Sequence, residues 1–303
     1  MGVAAAMGIL DDQVVLVTGA TDGLGRALAA DLLRAGATVL VHGRDPGRIA
    51  DTVASLGGGA RVRSYCADLS SQAQVRELAA QVIAAEPALN VLVNNAGIGG
   101  AGQREESADG YELRFAVNYL AGFTLTRQLL PLLTASAPSR IVNVSSAGQQ
   151  AIDFGNVMLT SGYSPIRAYC QSKLGQIMFT MDLAPRLASA GVTVNALHPA
   201  TYMPTKMVAT PISTIAEGVE ATMHLITAPV AEVGTGRYYN GLREARADQQ
   251  AYDLNARDEL RDLSEKLTVH LWRPAGRILC LPWRTSRRWL PGASTMLSCG
   301  CRI

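Results

Sequence analysis

From position 14 to about 240, short β-branched runs alternate with longer segments of helical periodicity. That alternation restricts the chain to a largely parallel sheet covered by helices on both faces. The strand-like runs are 14–18, 38–42, 61–65, 91–94, 140–144, 192–197 and 236–239. Most of them are largely apolar, as strands buried on both sides must be. Helical patterns fit between them at 23–35, 46–56, 71–85, 109–135, 166–190 and 213–227. A charged stretch, 244–267, reads as a last helix with Leu260, Leu263 and Leu267 on one stripe. The expected architecture is α/β, a doubly wound sheet of about seven strands in a single domain, 12–268, after a short extension, 1–11.

Composition agrees with a soluble globular protein that has a sizeable core: 303 residues, 48% hydrophobic and 17% charged. No apolar run reaches the roughly 18 residues of a membrane span. The start, MGVAAAMGIL, has no basic residue and too short an apolar stretch for a secretory signal. Ala6 stands where a myristoylation site needs Ser or Thr. The expected location is therefore the cytoplasm. Five cysteines at irregular spacings form no metal or disulfide framework and read as reduced thiols.

Residues 269–303 differ in kind. They hold six of the 27 basic residues, none of the 25 acidic ones, all three tryptophans, and three prolines that interrupt any helix. The reading is a non-homologous tail without a folded role. A basic, aromatic arm for nucleic acid or anionic lipid is the lesser alternative, so no nucleic-acid partner is expected.

The first strand runs into TGATDGLG, with Gly19, Gly23 and Gly25 in a strand–helix turn around Thr21, Asp22 and Leu24. Such glycines let the backbone approach a pyrophosphate, and the helix N-terminus adds N–H donors and positive potential. The spacing is a variant of the dinucleotide fingerprint, at the place in an alternating chain where that fingerprint belongs. About 20 residues on, an NAD enzyme usually carries an acid for the ribose hydroxyls. Here Gly43 occupies that position and Arg44 follows. A guanidinium there suits a 2′-phosphate, which favours NADP(H) over NAD(H), although Asp22 and Asp45 dilute the signal.

Tyr169 and Lys173, in AYCQSK, lie one helical turn apart and share a helix face. A neighbouring ammonium favours the phenolate and lowers the tyrosine from its usual value of about 10, making it a usable acid and base.

These features, in this order, resemble the short-chain dehydrogenase/reductase family, in its compact single-domain branch with a Rossmann-type fold. The likeness runs over about 12–240 and is carried by TGATDGLG, Asp68-Leu69, NNAG (94–97), Asn118 in FAVNYL, VSS (144–146), AYCQSK and HPA (198–200). It implies that Tyr169 is the general acid or base, and that Lys173 tunes it and holds the nicotinamide ribose. It further implies that Ser146 binds the substrate oxygen and Asn118 anchors a relay water. Ser145 would be structural. Cofactor contacts would come from the glycine loop, Arg44, Asp68 and Leu69 at the adenine, Asn95, Ala96, Gly97, Tyr169, Lys173, Pro199 and Thr201. The cofactor supplies the hydride, and the protein supplies position and electrostatics.

Two departures bear on the substrate. Twenty-two residues separate Ser146 from Tyr169, so 151–165 forms an insertion like that of retinol-dehydrogenase-like members, expected to wall the substrate site. Ala200 replaces the common glycine after Pro199, and the threonine expected nearby is Thr201 or Thr205. Residues 202–214, with Met203 and Met207, read as a substrate loop, while His42 and His198 read as structural. The function expected is NADP-dependent interconversion of a carbonyl and an alcohol on a fairly apolar small molecule. The rivals are a dinucleotide sensor without chemistry and a same-fold epimerase or dehydratase. The complete Asn118, Ser146, Tyr169 and Lys173 set argues against the first, and the short C-terminal extension against the second. Resemblance also implies a homodimer or homotetramer, paired through the helices bearing Asn118 and Tyr169.

Overall fold

The apolar runs form strands because β-branched side chains suit a pleated surface and neither face has to meet water. The computed structural model describes residues 8–201, 203, 210 and 212–269, all within one compact unit. The strands are β1 (Val14–Val17), β2 (Thr38–Gly43), β3 (Val62–Cys66), β4 (Val91–Asn94), β5 (Ser139–Val144), β6 (Val192–His198), β7 (Tyr238–Asn240) and β8 (Arg243–Glu244). They form one sheet in the order β3-β2-β1-β4-β5-β6-β7-β8. Every neighbouring pair is parallel except β7 and β8. Leu16 lies beside Leu40 on one side and Leu92 on the other, all three inaccessible to water. Each such burial contributes about 1.5–3 kcal/mol.

The helices are α1 (Gly23–Arg34), α2 (Pro46–Leu56), α3 (Gln72–Ala85), α4 (Ala121–Ala135), α5 (Pro165–Leu187), α6 (Ile215–Thr227), α7 (Val230–Val233) and α8 (Leu254–Val269). Their starts are set by side-chain caps: Asp22 for α1, Asp45 ahead of Pro46 for α2, Ser71 for α3 and Ser164 ahead of Pro165 for α5. Thr214 and Glu217 close a reciprocal capping box on α6.

Three expectations change. The sheet has eight strands, because after the Gly241 turn a two-residue antiparallel strand pairs Glu244 with Tyr239. The last helix therefore starts at Leu254, not at 244; Asp248 caps a short turn and Asp253 caps α8 through the Asn255 N–H. The helix expected over 109–135 starts later and is not uniform. Glu112 caps the Phe115 N–H (2.7 Å), Phe115–Leu120 winds as a π-helix, and α4 continues from there. A π-turn inserts one residue per turn and often marks a functional site.

The chain builds β1 to β3 on one side and then crosses to β4 on the other. The crevice at the carboxyl ends of β1 and β4 is the topological switch point where such sheets take ligands. The described part of the proposed tail is its first residue, at the end of α8; the remainder lies outside the described residues, as do Thr205 and Met207.

Candidate active site

The glycine loop is shaped by close approach of backbone to backbone. Gly19 has φ +65°, and an ideal Cβ on Gly25 would stand 2.3 Å from Gly19 O and 2.5 Å from Asn95 Nδ2. No side chain fits there. Thr18 Oγ1 accepts from the N–H groups of Asn95 (2.9 Å) and Ala96 (3.0 Å), and Asn95 Nδ2 donates to Thr18 O (2.8 Å). The NNAG segment is thus tied to the end of β1, beside the loop.

His42 locks the other side. Its Nδ1 accepts from Gly19 N–H (3.2 Å), so Nε2 carries the hydrogen and donates to Ala67 O (3.1 Å). Burial holds this imidazole neutral and lowers its pKa to about 4. The structural reading of His42 is the one its contacts support.

Asp22 is occupied: one carboxylate oxygen accepts from Gly23 N–H (2.9 Å) and the other pairs with Arg48 (2.8 Å). Arg48 also donates to Thr21 O (3.2 Å). Arg44 is exposed at the end of β2, and its side chain has no partner among the described residues. Two cations therefore flank the loop where sequence reasoning named one. Arg48 lies in α2, and only the tertiary fold brings it to Asp22. An added Cβ on Gly43 would stand 2.6 Å from Thr21 Cγ2, so a side chain at the position where an acid was looked for would require Thr21 to shift. Beyond β3, Asp68 shapes the turn by accepting from Ser70 N–H (2.9 Å), and Leu69 is buried. The close-packed glycine loop, the α1 N-terminus and Arg44, unpaired among the described residues, suit a pyrophosphate-containing dinucleotide.

The candidate reacting groups converge past β5. Ser145 Oγ donates to Lys173 O (2.7 Å), a structural tie, while Ser146 Oγ and the Tyr169 ring lie side by side, 3.5 and 3.8 Å from a Cβ placed on Gly148. Ser146 is itself held: Gly148 N–H donates to its Oγ (3.0 Å), and Tyr238 Oη and Gln149 Nε2 donate to its carbonyl (3.0 and 3.2 Å). Tyr238 and Gln149 were not singled out from sequence, since neither carries a motif. Burial raises the Tyr238 pKa to about 12, which keeps that phenol a donor.

Lys173 is buried and donates to Val144 O (2.9 Å) and Gln176 Oε1 (3.0 Å), with Nζ 5.8 Å from the Tyr169 ring centroid. Burial lowers its pKa to about 7. Tyr169 shows the reverse of the expected lowering. Burial pushes its phenol up, only the neighbouring Ser146 hydroxyl pulls it down, and the lysine is turned toward Val144 and Gln176. In the chain alone, desolvation of both groups outweighs their attraction.

Asn118 is fully engaged. Its Oδ1 accepts from Ile98 N–H (2.7 Å), and its Nδ2 donates to Ile98 O (3.1 Å) and Ser172 Oγ (2.9 Å). It joins the loop after β4 to α5, and a Cβ on Gly97 would crowd it (3.2 Å) and Lys173 Nζ (3.4 Å). At the end of β6, Pro199 is buried, and Thr201 Oγ1 pairs with His198 Nε2 (3.0 Å), which leaves His198 a structural partner. Met203 packs toward Gly218 and Leu24.

The insertion is pinned: Ile152 exchanges two bonds with the Gln250 side chain, Gln171 donates to Ala151 O, and Arg167 pairs with Asp153. Tyr163 joins buried Glu112 and Arg114, whose guanidinium also donates to Gly99 O (2.9 Å) and Ala101 O.

Comparison with known proteins agrees with this geometry. The short chain dehydrogenase family model matches residues 13–215. Human retinol dehydrogenase 14 is 35% identical over 292 residues, covering 85% of this chain and 87% of its own. Mouse retinol dehydrogenase 13 is 34% identical over 304 residues, covering 92% and 87%. Among solved structures, an uncharacterized protein from Mycobacterium paratuberculosis superposes with a TM-score of 0.75 at 28% identity, covering 88% of this chain and 97% of its own. The Pseudomonas aeruginosa RhlG/NADP active-site complex does so with 0.63 at 29%, covering 76% and 95%. A glycine loop at the end of the first strand and the Ser146, Tyr169 and Lys173 set, in a chain with these relatives, make this protein a member of the short chain dehydrogenase family, an NAD(P)-dependent oxidoreductase that interconverts carbonyl and alcohol groups.

Proposed function

We propose that the chain is an NADP-dependent oxidoreductase acting on fairly apolar small carbonyl compounds and alcohols, with Tyr169 as general acid and base. The observation that carries the proposal is the convergence of Ser146, Tyr169 and Lys173 at the carboxyl end of β5, beside the glycine-loop cradle. In carbonyl reduction Tyr169 donates its phenolic proton to the oxygen of the substrate, and Ser146 hydrogen-bonds the same oxygen as charge builds on it. Lys173 lies one turn along the helix. With its ammonium form retained, it favours the phenolate left behind. Asn118 holds Ile98 against Ser172, and so fixes the loop wall beside Lys173.

The bound cofactor supplies the hydride; Gly19, Thr21, Asp22, Gly23, Leu24 and Gly25 would hold its pyrophosphate, Asp68 and Leu69 its adenine side. Asn95, Ala96 and Gly97 would line the adjoining wall, and Pro199 and Thr201 the nicotinamide end. Preference for NADP rests on exposed Arg44, supported by Arg48 and by the lack of an acid at Gly43. Relatives named retinol dehydrogenases favour an extended apolar substrate. Among the described residues no helix is long and apolar enough to cross a membrane. A homodimer or homotetramer paired through the helices bearing Asn118 and Tyr169 remains the assembly that resemblance implies, with α8 packed on one face of α4 and α5.

The test is consumption of NADPH against a panel of aldehydes, ketones and quinones, paired with titrations of NADPH and NADH on the same preparation. Turnover of an apolar aldehyde or ketone with tighter NADPH binding is expected. No turnover, or equal binding, overturns the corresponding half of the proposal.

A further inference from the structure

Asn118 and Tyr119 are neighbours in the Phe115–Leu120 π-turn but serve opposite sides of it. Asn118 reaches Ile98 and Ser172. Tyr119, fully buried, turns toward α8, and its hydroxyl lies 2.7 Å from Ser264 Oγ. Ser264 Oγ donates to Leu260 O (2.6 Å), so it accepts from the tyrosine. The Tyr119 ring lies against Gly175, where a Cβ would stand 3.1 Å from it, two residues past Lys173. It also sits in a tilted aromatic row with Phe115 (5.2 Å) and Phe123 (6.2 Å).

The helix that receives Tyr119 is fastened to both neighbouring helices. Arg257 donates to Met181 O (2.9 Å) and Arg261 pairs with Asp182 (2.8 Å), both on α5. Glu265 pairs with Arg127 on α4 (3.2 Å), and Leu267 O accepts from Tyr111 Oη (2.8 Å) ahead of the π-turn. None of these contacts touches the cradle or the reacting groups.

We propose that α8 is a clamp on the active site, and that Ser264 and Tyr119 are positioning residues which hold the π-turn so that Asn118 keeps Ile98 and Ser172 in register with Lys173. A π-turn carries one more residue than a regular helical turn and can shift to α-helical register; a fixed ring on its outer side opposes that shift. Loss of the Ser264 acceptor leaves a buried hydroxyl unpaired and favours the shift. The inference rests on the proposed function only in what it means for turnover, because the Ile98 N–H reports Asn118 directly.

The experiment is amide hydrogen exchange on the full chain, wild type against Ser264→Ala, with Tyr119→Phe as a second variant that keeps the ring. Thr268→Ala is the control, since among the described residues Thr268 Oγ1 bonds only within α8. In both variants the Ile98 amide should exchange roughly five- to tenfold faster while α8 amides stay protected, and the double variant should add little to either single one. The rate of carbonyl reduction should fall with cofactor affinity unchanged. Unchanged Ile98 exchange, equal acceleration in α8 and β1, or the same effect from Thr268→Ala overturns the clamp. If the wild type reduces no carbonyl but Ile98 responds as stated, the functional proposal fails and the clamp stands.

Discussion

Tyr238, on the seventh strand, donates its phenolic hydrogen to the main-chain carbonyl of Ser146, 3.0 Å away. The serine that faces Tyr169 is therefore held from behind by a second phenol, whose burial keeps it protonated. Replacing Tyr238 with Phe removes one buried hydrogen bond but leaves the Gln149 donor. Unfolding free energy should fall by about 1 kcal/mol. Turnover should fall severalfold at unchanged NADPH affinity, measured by denaturant titration and steady-state kinetics. Wild-type turnover in this variant would show that Ser146 needs no such support.

Tyr169→Phe keeps the ring and loses the proton. Turnover should drop by at least ~10²-fold, with NADPH binding within a small factor of wild type. If turnover survives, another group delivers the proton and the assignment fails.

Arg44→Asp places a carboxylate where a 2′-phosphate is expected. The dissociation constant for NADPH should rise by ~10-fold or more, with NADH affected far less, because charge-assisted bonds to phosphate are lost. Arg48→Ala should act in the same direction but more weakly, since Arg48 is already paired with Asp22. Equal losses for both cofactors in both variants would remove the argument for NADP.

His42 gives a pH dependence with a definite sign. Its folded pKa, about 4, lies below its ordinary 6.5 because the ring is buried and its Nδ1 must accept from Gly19. Between those values the unfolded chain binds a proton that the folded chain refuses, so stability falls as pH falls. The contribution is complete above about pH 6.5 and is lost progressively toward pH 4, up to ~3 kcal/mol. His42→Gln should flatten that part of the stability profile in denaturant titrations from pH 7 to 4. A profile as steep as wild type would assign the effect to other groups.

Periodicity alone determined that this chain forms a doubly wound sheet, because a strand buried on both faces must be apolar throughout and its connections must be helices. The local motifs were legible for the same kind of reason: Gly25 in a turn that admits no Cβ, and Tyr169 and Lys173 one helical turn apart, are short-range facts. Sequence missed β8 and placed the last helix ten residues early, since the caps Asp248 and Asp253 look like any other acids in a charged run. It also could not show that Arg48 reaches Asp22, that Tyr238 supports Ser146, or that Ser264 receives Tyr119, because those partners are 26, 92 and 145 residues apart. The ionisation of Tyr169 and Lys173 depends on burial and on where the ammonium turns. Spacing brings two charges near each other, but only the packed interior sets what solvation they lose.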